Sequence, residues 1–257
     1  MEDGLVSPNI KGMLQGGPLS PILSNIYLDK LDKELESRGL HFVRYADDVN
    51  ILVKSELSAN IVMKSITSWP ERKLFLKVSA TKTKVVRPSK SNFLGFTFIK
   101  YRDKWECKPM DIKVQNLYDK CKTILIRKKA IAIPTKTLFT KLNEVIRGWI
   151  DYFRIGKMKT KLFEFGRWLR HKVRVVILKK WKKSTTIYKN LMKMNLRFKN
   201  GRTDEDIYKG ANSRLGLYAK ASGDVINFIL NPTILSYTNK KRGIIGLINP
   251  LEYYASK

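Results

Sequence analysis

His41-Phe42-Val43-Arg44-Tyr45-Ala46-Asp47-Asp48-Val49-Asn50-Ile51-Leu52-Val53 is the stretch that decides the fold. Its two β-rich halves flank an acidic pair, so the run reads as a hairpin with Asp47 and Asp48 at its tip. Neighbouring carboxylates repel one another unless a cation offsets them. Mg²⁺ suits that task, because it takes hard oxygen ligands and keeps positions open for phosphate. Two such ions roughly 3.5 to 4 Å apart activate a 3′ hydroxyl and stabilise a leaving pyrophosphate. Taken alone, the dipeptide reads more readily as a polar hairpin turn, and the residues around it have to decide.

Upstream, G-M-L-Q-G-G-P-L-S-P over residues 12–21 is too rich in Gly and Pro for regular structure until Ser20 and Pro21 supply an N-cap and first turn. A helix follows, with Ile22, Leu23, Ile26, Tyr27, Leu31 and Leu35 on its apolar face. Asp29, Asp32, Glu34 and Glu36 lie mostly opposite, and Gly39 closes it. Downstream, residues 55–69 carry helical spacing through Leu57, Ile61, Ile66 and Trp69, with Pro70 as the stop. Residues 74–78 and 84–86 read as strands around the turn 79–83. Residues 93–98 and 104–107 form a last hairpin around Arg102-Asp103. The expected fold is α+β: a small unit of helices packed on an antiparallel sheet, followed by a mainly helical part. In that part, residues 117–132, 137–153 and 162–181 have helical spacing, and 188–257 mixes short helical patterns with Gly and Asn turns. The predicted divisions are 1–110, 111–187 and 188–257.

At roughly 150 residues per domain, 257 residues make about two domains, and 43% apolar residues can bury a core. The net charge of +29 calls for a polyanionic partner. That charge is uneven: residues 1–106 hold 17 basic and 12 acidic side chains, and the remainder 34 and 10. The second part is therefore the polyanion-binding part. No apolar run approaches the roughly 18 residues of a spanning helix and no signal pattern opens the chain, so neither a membrane partner nor secretion is expected, and the location is read as cytoplasmic. Two cysteines and two histidines are too few for a zinc finger, and Cys107 and Cys121 are expected to remain reduced thiols.

Gln15-Gly16-Gly17-Pro18-Leu19-Ser20-Pro21 with its helix, then Tyr45-Ala46-Asp47-Asp48, then Lys82-Thr83-Lys84, then Phe93-Leu94-Gly95-Phe96, in that order, resembles the reverse transcriptase palm. More narrowly, the run is similar to the reverse transcriptase and maturase proteins of bacterial group II introns. The resemblance implies that Asp47 and Asp48 hold two Mg²⁺ ions, with Asp47 the direct ligand and Asp48 its supporting partner. It implies that Gln15, Gly16, Gly17, Pro18, Tyr45 and Ala46 lie near template and incoming nucleotide. Glycine admits close backbone approach, and Gln offers both a donor and an acceptor. Lys82 falls where related polymerases place a lysine near the triphosphate, although a solvated lysine accounts for it too. Phe93, Leu94, Gly95 and Phe96 match the primer-gripping hairpin, with ordinary core as the rival reading of the phenylalanines.

Leu142-Asn143 through Phe153, including Arg147-Gly148-Trp149, and Trp168-Leu169-Arg170 through Lys183 resemble the same family's thumb and maturase-specific region. Arg147, Arg154, Arg167, Arg170, Lys179, Lys180, Lys182 and Lys183 are the expected phosphate contacts, because cations release counterions from RNA. Trp149, Tyr152, Phe153 and Trp168 read as bundle core ahead of base-stacking surfaces. The partners implied are group II intron RNA, an RNA template, a DNA primer and a deoxynucleoside triphosphate. The family uses a third carboxylate on a strand before the Q-G-G block, with fingers before that strand. Only fourteen residues precede Gln15, and their acids are Glu2 and Asp3. Leu14 also stands in place of the family's usual proline. The expectation is therefore a C-terminal fragment, inactive alone and open to complementation by an N-terminal half. The rival expectation is a non-catalytic maturase remnant that stabilises folded intron RNA.

Overall fold

A computed structural model describes residues 17–239 and 243–256. Glu2, Asp3, Leu14, Gln15 and Gly16 lie outside the described residues. The architecture is α+β, in two compact units, Met1–Phe93 and Leu94–Lys257.

In the first unit, helix α1 covers Ser20–Ser37. Leu19 occupies the N-cap position, one residue before the expected Ser20, and Pro21 sits in the first turn. Past the end, the Leu40 N–H returns to the Leu35 carbonyl at 3.1 Å. Strands β1, His41–Tyr45, and β2, Asp48–Leu52, pair antiparallel with Tyr45 opposite Asp48, as the alternation predicts. Helix α2, Glu56–Lys73, is capped by the Ser55 hydroxyl, which accepts the Ser58 N–H at 3.2 Å. Leu31, Leu35 and Leu74 form the buried centre, with Phe42, Val49, Ile51, Ile66 and Trp69 packed around them.

Four expectations for this unit need correction. Pro70 does not stop α2; it is buried within the last turn, where its fixed φ is already helical, and the helix runs on to Lys73 although the bond back to residue 66 is forgone and the ring crowds that carbonyl. Residues 74–78 and 84–86 form no strands. Phe75 adopts φ +53 and is 87% exposed, which breaks the extended run. Of the apolar face on α1, only Leu31 and Leu35 are buried, and Ile22, Leu23, Ile26 and Tyr27 stay exposed. A core of three buried side chains is too small to cover the other end of an 18-residue helix. Phe93 belongs to a two-residue strand β3, Asn92–Phe93, and the longer strand begins at Phe96. The reason is that Leu94 and Gly95, at φ +50 and +82, make a turn.

The second unit opens with the hairpin of β4, Phe96–Tyr101, and β5, Lys104–Pro109. Its loop residues Arg102 and Asp103 carry φ +44 and +61, the left-handed pair that matches the twist of the flanking strands. This hairpin is tied to the helices. The Met110 N–H bonds the Gly95 carbonyl at 3.0 Å, and the Lys157 N–H bonds the Cys107 carbonyl at 2.8 Å. For that reason the division falls after Phe93 instead of after residue 110. Helices α3, Asp111–Ile124, and α4, Arg127–Ala132, split the predicted stretch 117–132. Next come α5, Thr135–Phe153, and α6, Lys159–Trp181. The tail folds into α7 Ser184–Phe198, α8 Asp204–Asn212, α9 Leu217–Lys220, α10 Asp224–Ile229, α11 Pro232–Ser236 and α12 Pro250–Ala255.

Leu138, Leu142, Ile146, Ile150 and Phe153 recur every three or four residues of α5 and share one core with Leu162, Phe165, Leu169 and Val173 of α6. Each such aliphatic or aromatic side chain contributes roughly 1.5–3 kcal/mol when fully buried. Ile187, Ile207, Ile226 and Leu247 extend the same core, so residues 111–187 and 188–257 fold as one body.

Candidate catalytic turn and nucleic-acid surface

Pairing of Tyr45 with Asp48 leaves Ala46 and Asp47 as a two-residue loop. Ala46 takes φ +53, which turns the chain sharply into the acids. Asp47 at the loop and Asp48 at the head of β2 are both exposed, and among the described residues neither carboxylate has a hydrogen-bonding or ionic partner. Tyr45 is 63% exposed beside them.

The loop is anchored by its neighbour in sequence. Arg44 holds Asp32 of α1 through Nε at 2.7 Å and Nη2 at 2.5 Å. Its Nη1 donates to the Asn25 side-chain oxygen at 3.0 Å and to the Ala46 carbonyl at 2.9 Å. The hydrogen bonds to Asp32 outweigh partial burial and raise the Arg44 pKa above its ordinary value. Sequence reasoning missed Arg44, Asp32 and Asn25. The available signal was a cation inside an apolar strand, directly before two acids.

The donor chemistry of the turn fits a hard divalent cation: two adjacent, solvent-facing carboxylates with no basic neighbour neutralising them. Its count does not complete a two-ion site. Among the described residues no group of three His, Cys, Asp or Glu is close enough to hold a metal.

The remaining sequence-predicted positions are dispersed. Gly17 and Pro18 lead into α1, where the Gly17 carbonyl accepts the Ser20 N–H at 3.1 Å. Lys82 is exposed in a turn, its N–H on the Ser79 carbonyl at 3.2 Å. Phe93 closes the first unit, whereas Leu94, Gly95 and Phe96 belong to the second. There the Phe96 ring is buried, edge-on to Phe153 at 5.1 Å and stacked with Tyr152 at 6.2 Å.

Of the predicted phosphate contacts, Arg147, Arg167, Lys179, Lys182 and Lys183 are exposed on the second unit. The other three are engaged within the fold. Arg154 donates to the Tyr253 carbonyl at 3.1 Å, pairs with Asp151 at 3.4 Å and lies over the Tyr253 ring at 5.4 Å. Lys180 donates to the Ile133 carbonyl at 2.6 Å, and burial lowers its pKa. Arg170 packs along Gly166, with burial first and Arg167 second lowering its pKa. The aromatic residues brace helices: the Trp149 indole N–H donates to the Lys113 carbonyl at 3.0 Å, and Trp168 packs 4.8 Å from Tyr118. Among the described residues no helix is long and apolar enough to cross a membrane.

Comparison with protein families gives two matches. The model of reverse transcriptase (RNA-dependent DNA polymerase) matches residues 4–98, and that of the group II intron, maturase-specific domain matches residues 114–195. Among curated proteins nothing matches the chain.

Proposed function

Because the chain belongs to the reverse transcriptase and maturase family of group II introns, we propose that it binds folded intron RNA through its basic helical unit and contributes the Asp47–Asp48 turn to RNA-directed nucleotidyl transfer. The observation that carries the catalytic part is the unneutralised acid pair at the tip of the β1–β2 hairpin, inside the reverse transcriptase match. Asp47 and Asp48 would hold Mg²⁺. Bound there, Mg²⁺ would supply charge to activate a primer 3′ hydroxyl and to offset the leaving pyrophosphate. The chain's own residues do the rest. The Ala46 bend presents both carboxylates on one exposed tip, and Lys82 offers an exposed ammonium for triphosphate charge. Gly17 and Pro18, at the entry to α1, are assigned to the template and nucleotide side, and Phe93 to Phe96 to the primer end. Among the described residues these two carboxylates leave a two-ion site one shared oxygen donor short.

The RNA-binding part is supported by the maturase-specific match and by Arg147, Arg167, Lys179, Lys182 and Lys183 standing exposed in the strongly basic part of the chain. The same exposed basic surface supports the second reading, an RNA-stabilising maturase without polymerase activity. Primer extension with Mg²⁺ separates the two. It is run on this chain alone and with a reverse transcriptase N-terminal segment supplied in trans. Extension that disappears in Asp47→Asn supports the polymerase reading, and no extension in either arm leaves the RNA-stabilising reading in its place.

A further inference from the structure

Mg²⁺ demands near-ideal octahedral geometry, so two carboxylates hold it well only if the hairpin tip that carries them is stiff. A two-residue loop on five-residue strands, in a unit centred on Leu31, Leu35 and Leu74, has little rigidity of its own. The rigidity comes from Arg44. Its guanidinium grips Asp32 as a fork at 2.7 and 2.5 Å, while Nη1 bridges Asn25 at 3.0 Å and the Ala46 carbonyl at 2.9 Å. Asn25 and Asp32 are seven residues apart on α1, about two turns, and so share one helix face. The peptide joining Ala46 to Asp47 is thereby tied through one planar cation to two points on an 18-residue helix. The fork is well shielded: the Arg44 side chain is 12% exposed and that of Asp32 23%.

We infer that Arg44 is a positioning residue that holds the Asp47–Asp48 turn in cation-binding geometry by fixing the Ala46 peptide against α1. The inference rests on reading the acid pair as a cation site. Lysine cannot substitute, because it is a point charge without the planar fork that reaches Asp32 and Ala46 together.

Mn²⁺ titration of the full chain, followed by electron paramagnetic resonance, tests the inference alongside melting curves. The variants are Asp47→Asn, Arg44→Lys and Asp32→Glu, the last two conserving charge. Outer-shell partners typically change metal affinity by about 10- to 100-fold, and that loss is expected for Arg44→Lys and Asp32→Glu in the folded protein. Unchanged Mn²⁺ affinity in either folded variant, with only a lower melting temperature, overturns the positioning role and makes the fork purely structural. Should Arg44→Lys not fold, Asp32→Glu decides the question by the same two outcomes. If wild type and Asp47→Asn bind Mn²⁺ alike, the acid-pair reading itself fails, and the positioning role with it. Loss in Asp47→Asn with no change in the other two removes the positioning role alone.

Discussion

Asn143 on α5 donates its side-chain amide to the Gly246 carbonyl at 2.8 Å, across 103 residues of chain. The other edge of the same amide accepts the Ile248 N–H at 2.9 Å, so one buried side chain serves an irregular segment as a neighbouring strand would. Gly246 is needed on the opposite side, where a Cβ would meet the Ser236 carbonyl oxygen at 2.1 Å.

Replacing Asn143 with leucine strands one buried acceptor, the Gly246 carbonyl, and one partly buried donor, the Ile248 N–H. At roughly 1–3 kcal/mol for each unsatisfied group, the expected loss of stability is about 2–6 kcal/mol. Asn143→Asp keeps the acceptor but sets a buried carboxylate against the Gly246 carbonyl, so it is expected to cost at least as much at neutral pH. Urea denaturation followed by tryptophan fluorescence reads both, and a loss below about 1 kcal/mol for either variant contradicts the account.

His171 sets a pH dependence. Its Nδ1 lies 3.1 Å from the Ser222 hydroxyl, its ring meets Tyr218 edge-on at 4.3 Å, and its Nε2 is buried with no partner in the structure. Burial first, then the charges of Lys172 and Arg174, lower its pKa from the ordinary 6.5. The unfolded chain therefore takes up this proton first as pH falls. The stabilisation is complete above about pH 6.5 and is lost as pH drops through the lower folded-state value. Melting temperature is expected to decline below about pH 6.5, and His171→Gln to flatten that slope. An identical slope in the variant assigns the decline to other groups.

The basic residues divide into two behaviours. Lys182 and Lys183 are exposed beside the start of α7, whereas Lys180 is bonded to the Ile133 carbonyl and Arg154 to that of Tyr253. Lys182→Ala with Lys183→Ala is expected to weaken RNA binding and reduce the slope of log affinity against log salt by about 0.7–0.9 for every phosphate no longer neutralised, at unchanged melting temperature. Lys180→Ala and Arg154→Ala are expected to lower the melting temperature first. Filter binding at several salt concentrations and a melting curve for each variant check the split. Lys182 and Lys183 variants with an unchanged salt slope remove them from the interface.

Legibility in the sequence followed the range of the interaction. The hairpin around Asp47 and Asp48 was readable because β-rich runs flank a polar tip, and α5 and α6 because their apolar residues recur at helical spacing. Those are near-neighbour signals. Arg44 was not readable, since its function depends on Asp32 and Asn25 arriving from a different element. Lys180 and Arg154 look in sequence like Lys182 and Lys183, and only packing against Ile133 and Tyr253 separates them. The extended reading of residues 74–78 failed because strand propensity without a pairing neighbour does not hold a strand, and Phe75 turns left-handed instead.

Gly95 illustrates how a motif residue can be explained by packing. In the primer-grip reading, its missing side chain lets a nucleic-acid end approach. The geometry supplies a sufficient local reason: φ is +82, and a Cβ would stand 3.2 Å from Lys113 Cε and 3.3 Å from Phe153 Cε1. Alanine there incurs a left-handed backbone penalty of about 1–2 kcal/mol and crowds the aromatic group of Phe96, Tyr152 and Phe153. If packing alone explains the glycine, Gly95→Ala lowers the melting temperature while RNA and primer affinity of the folded protein stay within about twofold of wild type. A loss of primer-end affinity well beyond that, measured where the variant is fully folded, returns Gly95 to the primer grip.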